Sequence, residues 1–196
     1  MEKRGLNFGD WVIFGREGRV GVVGLRDIGS DMFFNNAGFI RGYAAFDVAA
    51  AREDVVFHLD DHLERLRHSA QELEIAQPTA IQSSNAPALK SQLKQLLSLN
   101  KFGASLVWFY VLAGLTSDGF TPIGEPVLLV RVSKFDEAAL CSKQGIAVKT
   151  VNAVRQMPEI KCVADYALAE VMLARYAPQG YSEILYSSFG AFFELS

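Results

Sequence analysis

Gly42-Tyr43-Ala44-Ala45-Phe46-Asp47-Val48-Ala49-Ala50-Ala51-Arg52-Glu53-Asp54-Val55-Val56-Phe57-His58-Leu59-Asp60-Asp61-His62-Leu63-Glu64-Arg65-Leu66-Arg67-His68-Ser69-Ala70 contains two hydrophobic periods, and the switch between them decides the fold class. Gly42 to Ala51 is a long apolar run of the kind that forms a buried strand. Val55-Val56-Phe57, just after Asp54, is its expected hairpin partner. From Asp60 the period becomes helical. Leu63, Leu66, Ala70 and Leu73 recur at three and four residues, and Asp60 is placed to cap that helix.

Working outward, Trp11-Val12-Ile13-Phe14 and Val20-Gly21-Val22-Val23 flank a turn at Gly15 to Gly18. Ile81 to Asn85 reads as loop. Leu89, Leu93, Leu96 and Leu97 mark a second helix ending near Asn100. Ser105 to Leu112 and Val127 to Val132 read as buried strands around a long loop, Thr116 to Pro126. Strands and helices interleaved in this way make an α+β layer. The polar stretch from Ser133 to Gln144 looks like a boundary. Beyond it the pattern gives a strand (Ile146 to Val151) and a helix (about Val163 to Tyr176). A stop at Pro178-Gln179-Gly180 follows, then two strands around Ser188-Phe189-Gly190. The expected division is a small α+β domain over 1–133, a linker over 134–144 and an incomplete C-terminal domain over 145–196.

The chain has 196 residues, 50% of them apolar, so a real core is within reach. Its net charge of −3, from 19 basic and 22 acidic residues, offers no broad footprint for nucleic acid. No apolar run reaches the roughly 18 residues of a membrane span, and no signal-peptide core follows Met1 to Gly5. Cys141 and Cys162 form neither a disulfide framework nor a metal spacing, which suits a reducing, cytoplasmic setting.

Each candidate for chemistry has a plain structural alternative. Lys161, in Pro158-Glu159-Ile160-Lys161-Cys162-Val163, sits among apolar neighbours at the mouth of a helix. A lysine that attacks a carbonyl must be partly desolvated or set beside positive charge; a lysine in such a position can equally be a solvated surface residue. Arg65 can grip a phosphate with its planar fork, or simply cover apolar surface with its stem. His62 lies three residues before it, on the same helix face. His58 and His62, with Asp60 and Asp61 between them, lack defined third and fourth metal ligands, and no metal is expected. Gly15, Gly18, Gly21 and Gly24 are better read as hairpin glycines than as a nucleotide fingerprint. Cys162 has no histidine nearby in sequence, and Ser187-Ser188, read as a turn, has no nucleophile-elbow pattern. Tyr166 can be core, and Glu194 can be an exposed strand-end acid.

Taken together, three ordered blocks resemble the fold-type IV pyridoxal phosphate enzymes. That group includes branched-chain aminotransferases, D-amino acid aminotransferases and aminodeoxychorismate lyases. The first block runs from Arg41 to Ala70, with the phenylalanine-acid strand and the histidine-x-x-arginine-leucine helix. The second is Leu112-Ala113-Gly114-Leu115-Thr116-Ser117-Asp118-Gly119-Phe120-Thr121-Pro122, similar to the glycine-turn loop of one aminotransferase subgroup. The third spans Gly145 to Glu194, through Arg155, Lys161, Tyr166 and Gly180.

The resemblance implies pyridoxal 5'-phosphate as cofactor. Lys161 would join its aldehyde and carry the substrate α-proton, and Arg65 would hold its phosphate. Glu194 would pair with the ring nitrogen and Tyr166 with the ring hydroxyl. Phe46 stands where D-amino acid aminotransferases carry a tyrosine, which leans toward the branched-chain side. The strand Ser105 to Tyr110 lacks the arginine that members commonly place there, leaving Arg41 as the expected partner of a substrate carboxylate. The implied partners are an amino acid, a 2-oxo acid and a second copy of the chain in a homodimer. Members continue well past the glutamate, so the expectation is a family member lacking its C-terminal part. Aminotransferase, pyruvate-eliminating lyase and non-catalytic member all stay open.

Overall fold

The computed structural model describes residues 8–16, 18–137 and 145–195. Met1 to Gly5, Glu17, Cys141, Ser196 and most of the 134–144 stretch lie outside them. Six strands form one sheet: β1 (Trp11–Arg16), β2 (Arg19–Gly24), β3 (Ala44–Arg52), β4 (Val55–Val56), β5 (Ala104–Leu112) and β8 (Val127–Lys134). Their order is β2-β1-β8-β5-β3-β4, with every neighbouring pair antiparallel. The loop between β5 and β8 carries a small hairpin, β6 (Leu115–Thr116) and β7 (Pro122–Ile123).

One face of this sheet is dry. Helices α3 (Leu59–Glu72) and α4 (Ala86–Asn100) lay Leu63, Leu66, Leu93 and Leu96 onto Ile13, Val107, Phe109 and Val130. The inward residues of β3 are mostly alanines (Ala45, Ala49, Ala51), so α3 can lie close over the strand. Complete burial of each leucine contributes about 2 kcal/mol. The opposite face divides in two. Ala44, Leu112 and Val127 pack with Ile28 and Met32; Met32 belongs to α1 (Asp31–Phe34), which leads into α2 (Ala37–Arg41). Phe46, Trp108, Tyr110 and Arg131, on the same face, stay only partly buried.

Several local readings change. Asp60 does not cap α3. His58 holds that position with a left-handed φ of 47°, and Asp60 and Asp61 sit in the first turn, where negative charge suits the helix dipole. Ile81 to Asn85 lies in two short 3₁₀ turns, and Ile81 is fully buried. Ser133 belongs to β8, buried, where it accepts a hydrogen bond from the Trp108 indole. Of the four recurring glycines only Gly18 (φ 72°) sits in the turn; Gly15, Gly21 and Gly24 lie in strands. The segment before β3 holds α1 and α2, helices too short to show a period; Asn36 caps the second by accepting from Gly38 N at 2.8 Å.

A second sheet has the order β11-β10-β9. Strands β9 (Val148–Asn152) and β10 (Glu183–Ser188) run parallel, joined through a 3₁₀ turn (Val163–Tyr166) and α5 (Ala167–Tyr176). Strand β11 (Ala191–Leu195) returns antiparallel through Phe189 and Gly190, both left-handed (φ 49° and 80°), as a two-residue hairpin requires. Ser187 is therefore strand, not turn, and its hydroxyl donates to Val151 O.

The two sheets meet along one seam. Phe46 N donates to Lys161 O at 3.0 Å, Ala45 bridges Cys162, and Lys161 N donates to Ser69 Oγ at 3.1 Å. Gly42, at φ 68°, lies so near Ala164 that a Cβ would meet it at 3.1 Å, which is why the chain has glycine there.

Candidate active site

The seam fixes the backbone of Lys161 against the start of β3, and its side chain projects over the half-buried face of the first sheet. Lys161 Nζ lies 3.3 Å from Tyr166 Oη. It also lies 5.4 Å from the centre of the Phe46 ring and 5.5 Å from that of Tyr166, within cation–π range of both. Phe46, on β3, and Tyr166, at the end of the 3₁₀ turn, meet edge to face at 4.9 Å beside the amine.

Arg65 comes from α3, four residues before Ser69. Its Nε and one Nη donate to the two oxygens of Asp47, at 2.6 and 2.8 Å. His62 Nδ1 shares one of those oxygens at 2.7 Å, and Val48 N donates to the same oxygen. Asp47 is fully buried, whereas the Arg65 side chain is 47% exposed. The bond to Asp47, and less strongly the nearby Tyr166 hydroxyl, hold the guanidinium charged against the cost of burial. His62 is thus drawn inward to Asp47, while His58 turns to Asp61 at 3.0 Å, which parts the two histidines.

Glu194, on β11, is reached through Arg155. Arg155 Nε donates to Glu194 Oε1 at 2.6 Å, and its two terminal nitrogens donate to the carbonyls of Ile160 and Pro158, both at 3.0 Å. Its guanidinium lies 4.7 Å over the Tyr166 ring. Burial opposes its charge, but Glu194, Tyr166 and Asp165 outweigh that and raise its pKa. Arg155 therefore ties β11 to the segment that leads into Lys161, through Pro158 and Ile160. Next to it the Tyr186 hydroxyl is buried without a hydrogen-bond partner among the described residues, and desolvation pushes its pKa up.

Arg41 ends α2 and turns to the glycine-turn loop. Its Nε donates to Gly119 O at 2.9 Å and its guanidinium lies 4.1 Å over the Phe120 ring. The structure thus brings Lys161, Tyr166, Phe46 and Arg65 together, joins Glu194 to them through Arg155, and commits Arg41 to a loop. Two residues were not singled out from sequence. Asp47 carried a signal: it is an acid at an inward position of an apolar strand, where a buried charge needs a partner. Arg155 carried only its place within a matching block.

An antiparallel sheet with flanking helices, joined to a second sheet by a lysine-bearing segment, defines the fold-type IV aminotransferase scaffold. The chain belongs to the class IV aminotransferases: the family model "Amino-transferase class IV" matches residues 44–195. Among solved structures, the branched-chain amino acid aminotransferase of Escherichia coli superposes with a TM-score of 0.75 at 16% identity, covering 95% of this chain and 62% of that one. A fold IV transaminase from Curtobacterium pusillum gives 0.71 at 18% identity, covering 91% and 64%. A hypothetical aminotransferase from Mycobacterium tuberculosis in its PLP-bound form gives 0.69 at 15%, covering 91% and 62%. The chain thus spans about three fifths of the length of the structures it matches, and identities this low speak for the fold alone. No match is found among curated protein sequences. Among the described residues no helix is long and apolar enough to cross a membrane.

Proposed function

We propose that this chain carries the lysine site of a pyridoxal phosphate-dependent aminotransferase, which moves an amino group from an amino acid to a 2-oxo acid. The observation that carries this reading is the setting of Lys161: an amine 3.3 Å from a tyrosine hydroxyl, beside two aromatic rings, on a backbone pinned to the first sheet.

The donor set fits the cofactor. Lys161 would take its aldehyde, Tyr166 its ring hydroxyl and Glu194 its ring nitrogen. Arg65 would take its phosphate through the terminal nitrogen that Asp47 and His62 leave without a hydrogen bond among the described residues. When bound, pyridoxal phosphate supplies an electron sink that makes the substrate α-proton removable. The rest falls to the chain. Asp47 and His62 fix the arginine fork, and Arg155 orients the Glu194 carboxylate. Phe46 and Tyr166 flank the lysine amine, and the Tyr166 hydroxyl fixes its direction. The same amine is placed to take and return a proton at the substrate α-carbon. A homodimer of such chains in the cytoplasm goes with this reading.

The test is product analysis with L- and D-amino acids, branched-chain ones included, and 2-oxoglutarate or pyruvate as acceptor. Transfer that requires the acceptor and vanishes in Lys161→Ala is the expected result. Pyruvate released from aminodeoxychorismate without an acceptor would assign the lyase instead.

A further inference from the structure

We propose that Arg131 receives the substrate carboxylate. The inference rests on the aminotransferase reading of the lysine site.

Arg131 lies on β8, on the same face of the first sheet as Phe46 and Tyr110. The register places it directly across from Trp108 and one diagonal step from Tyr110, a separation of about 7 Å that an arginine side chain spans easily. Tyr110 in turn stacks on Phe46, the rings 6.3 Å apart at 26°, and Phe46 lies under the Lys161 amine. A continuous apolar floor therefore leads from the lysine to the arginine. Burial raises the Tyr110 pKa, and Arg131 is near enough to oppose that shift.

The charge balance singles Arg131 out. Arg65 is bound by Asp47, Arg155 by Glu194 and two carbonyls, and Arg41 by Gly119 O. Arg131 makes no hydrogen bond or ion pair among the described residues, and its Nε is buried with nothing to donate to. An unpaired buried donor on a cation is costly unless a ligand completes it. The guanidinium carbon lies 3.9 Å from the centre of the Phe8 ring, which seats the group against that face. A carboxylate accepting from Nε and one Nη would satisfy the orphaned donor in the paired geometry arginine favours.

Isothermal titration of the full chain with 4-methylpentanoate and with 4-methylpentan-1-ol separates the carboxylate from the side chain it carries. The wild-type chain is expected to prefer the acid by tenfold or more. Arg131→Met should abolish that preference, Arg131→Lys should keep part of it, and Arg41→Met should leave it intact. Arg131→Gln serves in place of Arg131→Met should the latter melt early. The proposal is overturned by a wild-type chain without the preference, by a folded Arg131→Met or Arg131→Gln that keeps it, or by its loss in Arg41→Met. Borohydride trapping of pyridoxal phosphate on the same variants separates the two ideas. A pyridoxyl group on Lys161 beside an unchanged acid preference in Arg131→Met removes only the role of Arg131. Loss of that preference without any trapped cofactor supports the carboxylate site and removes the aminotransferase reading.

Discussion

In the first sheet Ile13, Val107, Phe109, Leu128 and Val130 are sealed under two helices; in the second, Ile184 and Tyr186 are buried while Phe192, Phe193 and Leu195 face solvent. The first region is held together by apolar burial from its own residues. The second gains little from such burial and depends on directional contacts: the Arg155 bonds to Glu194, Ile160 and Pro158, and the seam against β3. The residue with the most demanding chemistry, Lys161, lies on the less self-sufficient side and takes its position from the other.

The sharpest way to break this comparison is Arg155→Met. The Arg155 side chain is only 4% exposed, and its loss orphans two carbonyls and a carboxylate. The expected cost is about 3–5 kcal/mol, concentrated in the second region. Hydrogen exchange should show amides of β9 to β11 losing protection while those of β5 and β8 keep it. Uniform loss across both sheets would show that the regions do not differ in this way.

Arg65→Met probes the buried Asp47 carboxylate of the first region. Among the described residues it leaves the fully buried Asp47 carboxylate with His62 and Val48 N. A cost of about 2–3 kcal/mol is expected, below the fully buried limit because Arg65 is half in water. Denaturant unfolding should show it as a shift of the whole transition, and adding Asp47→Asn should restore part of it. An unchanged midpoint would mean that Asp47 does not need its arginine.

The smallest effect concerns the glycine-turn loop. Asp118 accepts from the backbone N–H groups of Phe120 and Thr121 and from the Thr116 hydroxyl, which hold its carboxyl well below the usual carboxylate range. A lowered folded pKa means that the loop contribution is complete above about pH 4, the ordinary aspartate value, and fades only as pH falls through the lower folded value. The amide resonances of Phe120 and Thr121 should hold their positions down to about pH 3. Movement centred near pH 4 would remove this account, and Asp118→Asn should loosen the loop at neutral pH.

Much of this was legible in the sequence because it rests on period. The apolar run of β3, the leucines of α3 and α4 and the strands β5 and β8 follow from burial, which leaves a repeating trace. What escaped leaves none. The helices α1 and α2 are too short to repeat. The cap at His58 depends on a left-handed backbone unusual for that residue. Ser133 is polar in a buried strand because Trp108, distant in sequence, supplies its hydrogen bond. The candidate site divides in the same way. Lys161, Arg65, Tyr166 and Glu194 stand in an ordered set of residues, whereas Asp47, Arg155 and Arg131 acquire their roles from cross-strand register and long-range ion pairs.

The central claim is that Lys161, held by the seam between the two sheets, is the amine that takes pyridoxal phosphate. Borohydride reduction of the chain after incubation with the cofactor, followed by peptide mass mapping, tests it most directly. A single pyridoxyl group on the peptide containing Lys161, weakened by Arg65→Met, is the predicted result. Labelling spread over surface lysines, or a Lys161 peptide that stays unmodified, would contradict it.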